Sequence, residues 1–317
     1  MSNKKDMPVY LFTGFLEAGK TKFIQETLED KRFCRGEKTL LLICEEGEEE
    51  YEPDQFADSS VYMRVVESKE QLSSGQLSAW AAETGAERVL VEYNGMWLLD
   101  ELYAAMPQGW VVYQEFLFVD AGSFLSYNSN MRQLVYDKLK SCELVVFNRF
   151  RDDMDKMQFH KIVRGASRRT DIAYEYADGK VVYDDIEDPL PFDVEAPVIN
   201  VGDNDYALWY RDMGEEVKKY DGKTVCFKCK TLVRKKIPAG HVIVGRHIMT
   251  CCQDDIQFAG LVCRWDKDVP VKDESWIKLT ANIEFRFHPA YTGKGPVLTL
   301  ISMENCDQPD QPVATFY

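Results

Sequence analysis

GFLEAGKT, residues 14–21, comes straight off the apolar run VYLFT (9–13) and leads into TKFIQETLEDKRF (21–33), where Phe23, Thr27 and Leu28 share one helical face. A strand, a glycine-bounded turn and a helix follow one another without a gap. The G-x-x-x-x-G-K-T pattern lets backbone N–H groups wrap a polyphosphate. Here the wrap would come from Gly14, Phe15, Leu16, Glu17, Ala18 and Gly19, with Lys20 on the outer phosphates and the Thr21 hydroxyl on Mg²⁺. The helix N-terminus adds positive potential at the same place. The competing reading is a plain strand–turn–helix with a surface lysine.

Working outward, KTLLLIC (38–44), RVLVEY (88–93), VVYQEFLFVD (111–120) and ELVVFN (143–148) read as further strands. QLSSGQLSAWAAETGA (71–86), LLDELYAAM (98–106) and NMRQLVYDKLKSC (130–142) read as helices between them. Apolar strands separated by helices predict a parallel sheet covered on both faces, a doubly wound α/β domain over residues 1–185. VVYDDIEDPLPFDVEAPVIN (181–200), with three prolines and an acidic cluster, predicts a connection over 186–205. Beyond a helix at YALWYRDMGEEVKKYDG (206–222), the runs KTVCFKCKTLVRK, AGHVIVGRHIMTCC, GLVCRWD, WIKLTANIEFRF and GPVLTLISMEN predict a smaller, mostly antiparallel barrel or sandwich over 206–317.

Three further stretches carry chemistry. In RVLVEYNG (88–95), Glu92 ends an apolar strand and can hold Mg²⁺ through water, while Gly95 lets backbone approach a terminal phosphate. CEEGEEEYEPD (44–54) places seven acidic side chains in eleven positions on the loop leaving the second predicted strand. In a doubly wound sheet that loop opens on the ligand-binding edge. Its carboxylates could position an attacking water, or bind a second metal with Cys44, Glu45 and Glu48 as ligands, a bound cation offsetting their mutual repulsion. The alternative is a solvated, self-repelling loop. FNRFRDD (147–153) puts Asn148 at a strand end suited to a purine base. A guanine reader normally has lysine next and an aspartate two further on. Arg149 and Arg151 hold those positions and Asp152 is one residue late. Arginine accepts no hydrogen bond, which leaves GTP against ATP open.

Together these motifs resemble the CobW-like family of P-loop GTPases over roughly residues 8–155. The family's GFLGAGKTT stands here as GFLEAGKTK, its NEFGE as CEEGE, its ETSG as EYNG, and its VDA within VDAGSF (119–124). The resemblance implies nucleotide hydrolysis coupled to metal homeostasis or delivery, on a homodimer, with a metal-receiving protein as partner. It implies GTP, Mg²⁺ and Zn²⁺ or another divalent transition metal as cofactors, and puts Glu45 and Glu48 beside Lys20 among the catalytic residues. Two features depart from the family: VVESKEQLSSGQLSAW (65–80) lacks the CxCC metal motif, and the guanine motif is broken. GRHIMTCCQDDIQFAGLVC (245–263) resembles the soluble domain of a bacterial permease subunit, a likeness over about residues 220–317 that implies a link to transport.

The barrel region has soft ligands of its own. Cys226 and Cys229 form a C-x-x-C but point to opposite faces of an extended strand. His247, Met249 and Cys251 alternate onto one face and could bind a metal, or pack into a barrel core. The net charge of −15 disfavours nucleic acid or an anionic membrane as partner. Nine cysteines, no apolar leader and no apolar run near the ~20 residues a bilayer requires lead to the expectation of a cytoplasmic chain that is not membrane-embedded. The reading is a nucleoside-triphosphate hydrolase that binds nucleotide and Mg²⁺. Its rivals are a nucleotide-gated adaptor docked on a permease, and a small-molecule kinase.

Overall fold

The computed structural model describes residues 6–234, 237–250, 255–265, 272–291 and 293–316. The chain divides into two compact units between Ile186 and Glu187. Unit one runs β1 (Met7–Thr13), α1 (Lys20–Glu29), β2 (Thr39–Ile43), β3 (Val61–Val65), α2 (Ser74–Thr84), β4 (Arg88–Glu92), α3 (Leu99–Ala105), β5 (Trp110–Asp120), α4 (Ala121–Asn130), α5 (Arg132–Leu139), β6 (Leu144–Phe150), α6 (Lys156–Ala166), β7 (Asp171–Tyr176) and β8 (Val181–Tyr183). Its sheet has the order β3-β2-β4-β1-β5-β6-β7-β8. Every neighbouring pair is parallel except β7–β8.

All five residues of β2 and of β4 are buried, as strands covered on both faces must be. The two-residue period divides them: Leu40 and Leu42 pack with Leu77, Leu99 and Leu102 on one face, Leu41 and Ile43 with Ile24 and Leu28 of α1 on the other. The doubly wound α/β fold is as expected, and three strands join it. β3 is a half-exposed edge strand pairing with β2 alone, so VYMRV lacks the apolar run that marks a central strand. β7 and β8 form a hairpin whose turn holds Asp178 and Gly179, the glycine at φ +81°. Asp-Gly between two apolar-aromatic runs is a hairpin signal the sequence did display.

One carboxyl sits inside this unit without a cation on it. Glu115 of β5 is buried, accepting from Tyr103 Oη at 2.9 Å and Ser141 Oγ at 3.0 Å. Burial pushes its carboxyl up to about 7, outweighing the two hydroxyl donors that favour the charged form. Nearby Asp137 and Lys138 form their own buried pair at 2.9 Å.

Unit two contains β9 (Ile199–Asn200), α7 (Tyr206–Glu215), α8 (Val217–Tyr220), β10 (Thr224–Leu232), β11 (His241–Met249), β12 (Gln257–Arg264), β13 (Trp276–Phe287), β14 (Lys294–Asn305) and β15 (Val313–Thr315). Strands β10, β11, β12, β14 and β13 close in that order into a five-stranded barrel, β10 pairing with both β11 and β13. The barrel is mostly antiparallel, as expected, with β12 and β14 its one parallel pair. It belongs with the small Greek-key barrels. Phe192, Val194, Ile199 and Val201 of the expected connection join the barrel's core with Tyr206 and Trp209 of α7. Among the described residues no helix is long and apolar enough to cross a membrane.

Since Glu115 titrates near 7 in the folded chain against an ordinary 4.5, the folded state holds a proton that the unfolded state has lost between those values. Its contribution to stability therefore falls as pH rises from 4.5 to 7, by on the order of 3 kcal/mol, and stays lowered above. Relative to the native chain, Glu115→Gln should gain about 1–3 kcal/mol more at pH 8 than at pH 4.5 in urea unfolding. A difference that ignores pH would show that Glu115 is solvated.

Candidate functional site

The site is built at the carboxyl edge of the sheet, where β1, β2 and β4 end side by side. The register sets Phe12 and Ile43 opposite Glu92, so the last residue of β4 lies between the loops leaving β1 and β2. The first loop, 14–19, carries Gly14 at φ +140°, Glu17 at +60° and Gly19 at +89° before α1 begins at Lys20. Glu17 thus adopts a left-handed conformation where the related motif has glycine, at a cost typical of strained functional loops. Gly95 supports the loop from below: a Cβ there would meet Gly14 O at 2.6 Å and Phe15 Cα at 2.7 Å, both backbone. Its role in the structure is that close approach.

Lys20 is only 3% exposed, and its Nζ donates to Gly14 O at 2.9 Å, Phe15 O at 3.0 Å and Glu45 Oε2 at 2.7 Å. Thr21 Oγ1 donates to Glu92 Oε1 at 2.7 Å. The other Glu92 oxygen accepts from Tyr51 Oη at 2.5 Å. Burial raises the Glu92 carboxyl above its ordinary value, opposed by the Tyr51 and Thr21 hydrogen bonds and by Lys20. Tyr51 is part of the site that sequence reasoning missed. Its only signal was an aromatic inside the acidic run.

A wrapped backbone, a lysine beneath it, and a hydroxyl hydrogen-bonded to a strand-end carboxylate make one arrangement. The amino-terminal unit is a P-loop domain. The P-loop's hard oxygen donors, Thr21 Oγ1 and Glu92, fit Mg²⁺. The remaining cavity among Lys20, Thr21, Glu45 and Glu92 is about 10 Å³, room for roughly one water. Glu45 fills the space in front of the lysine.

The second-metal set is not gathered. Cys44 points into the apolar cluster with Leu42 and Val91, and burial first, then Glu92 and Glu45, push its thiol up to about 12. A thiol that far up is a poor metal ligand at neutral pH. Glu45 is engaged by Lys20, and Glu48 is exposed, its backbone N–H donating to Glu17 Oε1 at 2.8 Å. Glu49, rather than Glu48, lines the cavity by the P-loop. No cluster of three or more His, Cys, Asp or Glu side chains suited to a metal occurs among the described residues.

Asn148, at the end of β6, donates its amide to Ala18 O and so clasps the P-loop. Arg149, at φ +52°, donates to Glu17 O at 3.0 Å and to Asp120 Oδ2 at 2.6 Å. Asp120, from the VDA stretch, is a second group the sequence reading left without a role. In unit two, Cys226 is half-buried and Cys229 fully buried on alternate positions of β10, in line with opposite faces. His247 is exposed on β11 and lies against Phe258, ring centroids 5.1 Å apart, while its neighbours Arg246 and Ile248 face the core. Of the two readings of His247, packing into the barrel core does not hold, because the strand's two-residue period turns it outward. Cys251 lies outside the described residues.

Residues 182–314 match the family model described as the DUF1980 C-terminal domain, which accounts for unit two. No curated protein sequence matches the chain. Among solved structures, it is similar to the Zn(II)-bound YjiA GTPase from E. coli, with 14% identity over 84% of this chain and 92% of that one, at a TM-score of 0.43. A Zn(II)-bound triple mutant of YjiA GTPase gives 13% identity over 80% and 89%, again at 0.43. The P-loop assignment rests on strand order and loop geometry.

With Glu45 neutralising it, Lys20 is a paired buried charge. Glu45→Gln should lower the ligand-free protein's stability by about 2–4 kcal/mol in urea unfolding, because the ammonium stays buried. An unmoved midpoint would mean that water reaches Lys20.

Proposed function

We propose that the chain is a P-loop nucleoside-triphosphate hydrolase of the CobW-like type. The single observation that supports this most is the Lys20 ammonium enclosed by the P-loop with a carboxylate oxygen 2.7 Å away. That carboxylate stands where a phosphate oxygen would. A nucleotide would displace Glu45 and take over the acceptor position it holds on the lysine, while the loop N–H groups from Gly14 to Gly19 would turn toward the phosphates. Thr21 Oγ1 and Glu92 would hold Mg²⁺, which when bound supplies neutralisation of phosphate charge. Glu45, once released, and Glu49 line the cavity by the P-loop and would orient the attacking water. Positioning and charge stabilisation supply most of the catalysis in phosphoryl transfer, so no covalent intermediate with the protein is needed.

Coupling of nucleotide state to metal homeostasis draws on the CobW-like resemblance and on zinc in the YjiA structures. Since Cys44, Glu45 and Glu48 do not converge, zinc would need another ligand set. The second reading is an adaptor that docks its barrel on a membrane transporter and hydrolyses little, supported by the barrel's permease-subunit resemblance. Turnover separates the two.

Lys20→Ala should abolish hydrolysis and weaken Mg²⁺–nucleotide binding by at least about 100-fold, measured by phosphate release and calorimetry. Turnover at the native rate in that variant would remove the assigned site. Background turnover in the native chain, with tight binding, would favour the adaptor.

A further inference from the structure

The closed strand order β10-β11-β12-β14-β13, with β12 and β14 parallel, is that of an OB-fold barrel. Barrels of this order take ligands on the face of their second and third strands, between the loop joining strands one and two and the loop joining strands four and five. In unit two those loops are 233–240 and 288–293, so topology picks out one end of the β11–β12 ribbon. The fold says where a ligand would sit; the side chains must say what it is.

At that end one imidazole lacks an acceptor. His288 is more than nine-tenths buried, and Ala290 N–H donates to its Nδ1 at 3.1 Å. The proton of the neutral ring is therefore on Nε2, which is buried without a hydrogen-bond partner. A buried donor left alone is costly. Burial first, then His241 and Arg286, holds this imidazole below its ordinary value, so at neutral pH it offers a single N–H. A metal on Nε2 would need that proton on Nδ1, where the Ala290 N–H already points. The loop is also braced: Tyr291 N–H donates to His288 O at 2.9 Å, and Tyr291 Oη accepts from Val262 N–H at 3.0 Å while donating to Pro296 O at 2.7 Å.

Cations gather around that donor with few carboxylates to meet them. The His241 ring lies with its centroid 5.1 Å from that of His288, and the register sets Arg264 opposite His241. Arg264 is exposed, and among the described residues its guanidinium has neither an ion pair nor a hydrogen bond. Arg286, two residues before His288, shares Glu284 at 3.3 Å. Such an excess of donors stands out in a chain of net charge −15. We propose that this mouth of the barrel binds a small oxyanion, a phosphate or carboxylate group, which accepts from His288 Nε2 and is held by Arg264 and His241. The flat guanidinium fork matches two oxygens of either group, and a third lone pair meets the imidazole N–H. No P-loop residue takes part, so the site stands or falls apart from the nucleotide reading.

The chain has four histidines, so its imidazole nitrogens can be followed one by one in NMR spectra of the full chain carrying ¹⁵N-labelled histidine. Sodium phosphate and sodium succinate are titrated in at neutral pH against sodium chloride of equal ionic strength. The His288 and His241 nitrogens should shift and saturate while His160 stays still. Arg264→Met should raise the half-saturating concentration about 10-fold, the loss of one charge-assisted contact, with the His160 and His247 signals showing that the fold is kept. Saturation with phosphate alone, or with both anions, supports the site and tells which group it prefers. Shifts that chloride reproduces, or that never saturate, overturn it. So does an Arg264→Met chain that binds as tightly as the native one.

Discussion

Lys20 carries a full positive charge where solvent barely reaches, and it stays there because three acceptors converge on it. An ammonium so buried costs several kcal/mol unless paired. Two of the acceptors are carbonyls of the P-loop itself, which ties the loop's conformation to the lysine. The third, Glu45, comes from the loop after β2, so the same charge also fixes the acidic segment against the sheet edge. Tyr51 pins the far end of that segment to Glu92. The two loops that would enclose a nucleotide are thus held by each other in its absence.

The sheet order explains why this edge and no other holds the site. β1 lies between β4 and β5, and β4 lies between β1 and β2. Parallel strands end together, so Phe12, Ile43 and Glu92 fall on one line and their loops open into a shared space. Gly95 then lets the segment after β4 pass within contact of the P-loop backbone, where any side chain would collide with it. A residue at position 95 larger than glycine would push up the loop that wraps the lysine.

Much of this was legible in the sequence because its signals are local. The glycine spacing of residues 14–21, the fully apolar strands and the strand-end Glu92 each declare themselves within eight residues. What stayed hidden depends on partners far along the chain. Glu45 pairs with a lysine 25 residues away, Tyr51 with a carboxylate 41 away, and Arg149 with Asp120 29 away. No spacing rule within a loop points at them. The edge strand β3 hid for another reason: one neighbour and half-exposure leave it without alternation or an apolar run. His247 shows the converse limit. The two-residue period groups His247 with Met249 correctly, but it does not tell which face of the strand meets the core; burial of Arg246 does.

The acidic loop has an electrostatic consequence for what can enter. Seven carboxylates between residues 44 and 54 stand against one buried lysine, in a chain of net charge −15. A bare triphosphate approaching this edge would meet a repulsive field, and would have to displace Glu45 from Lys20 without gaining more than it removes. Bound to Mg²⁺, the same triphosphate arrives with about half its charge neutralised and brings the ion that Thr21 and Glu92 fit. The carboxylates then act as a filter for the metal complex over the free anion, and the released Glu45 no longer needs a cation once it reaches water. Acidity, which in the loop alone reads as mere solvation, becomes selective only because the lysine behind it is buried.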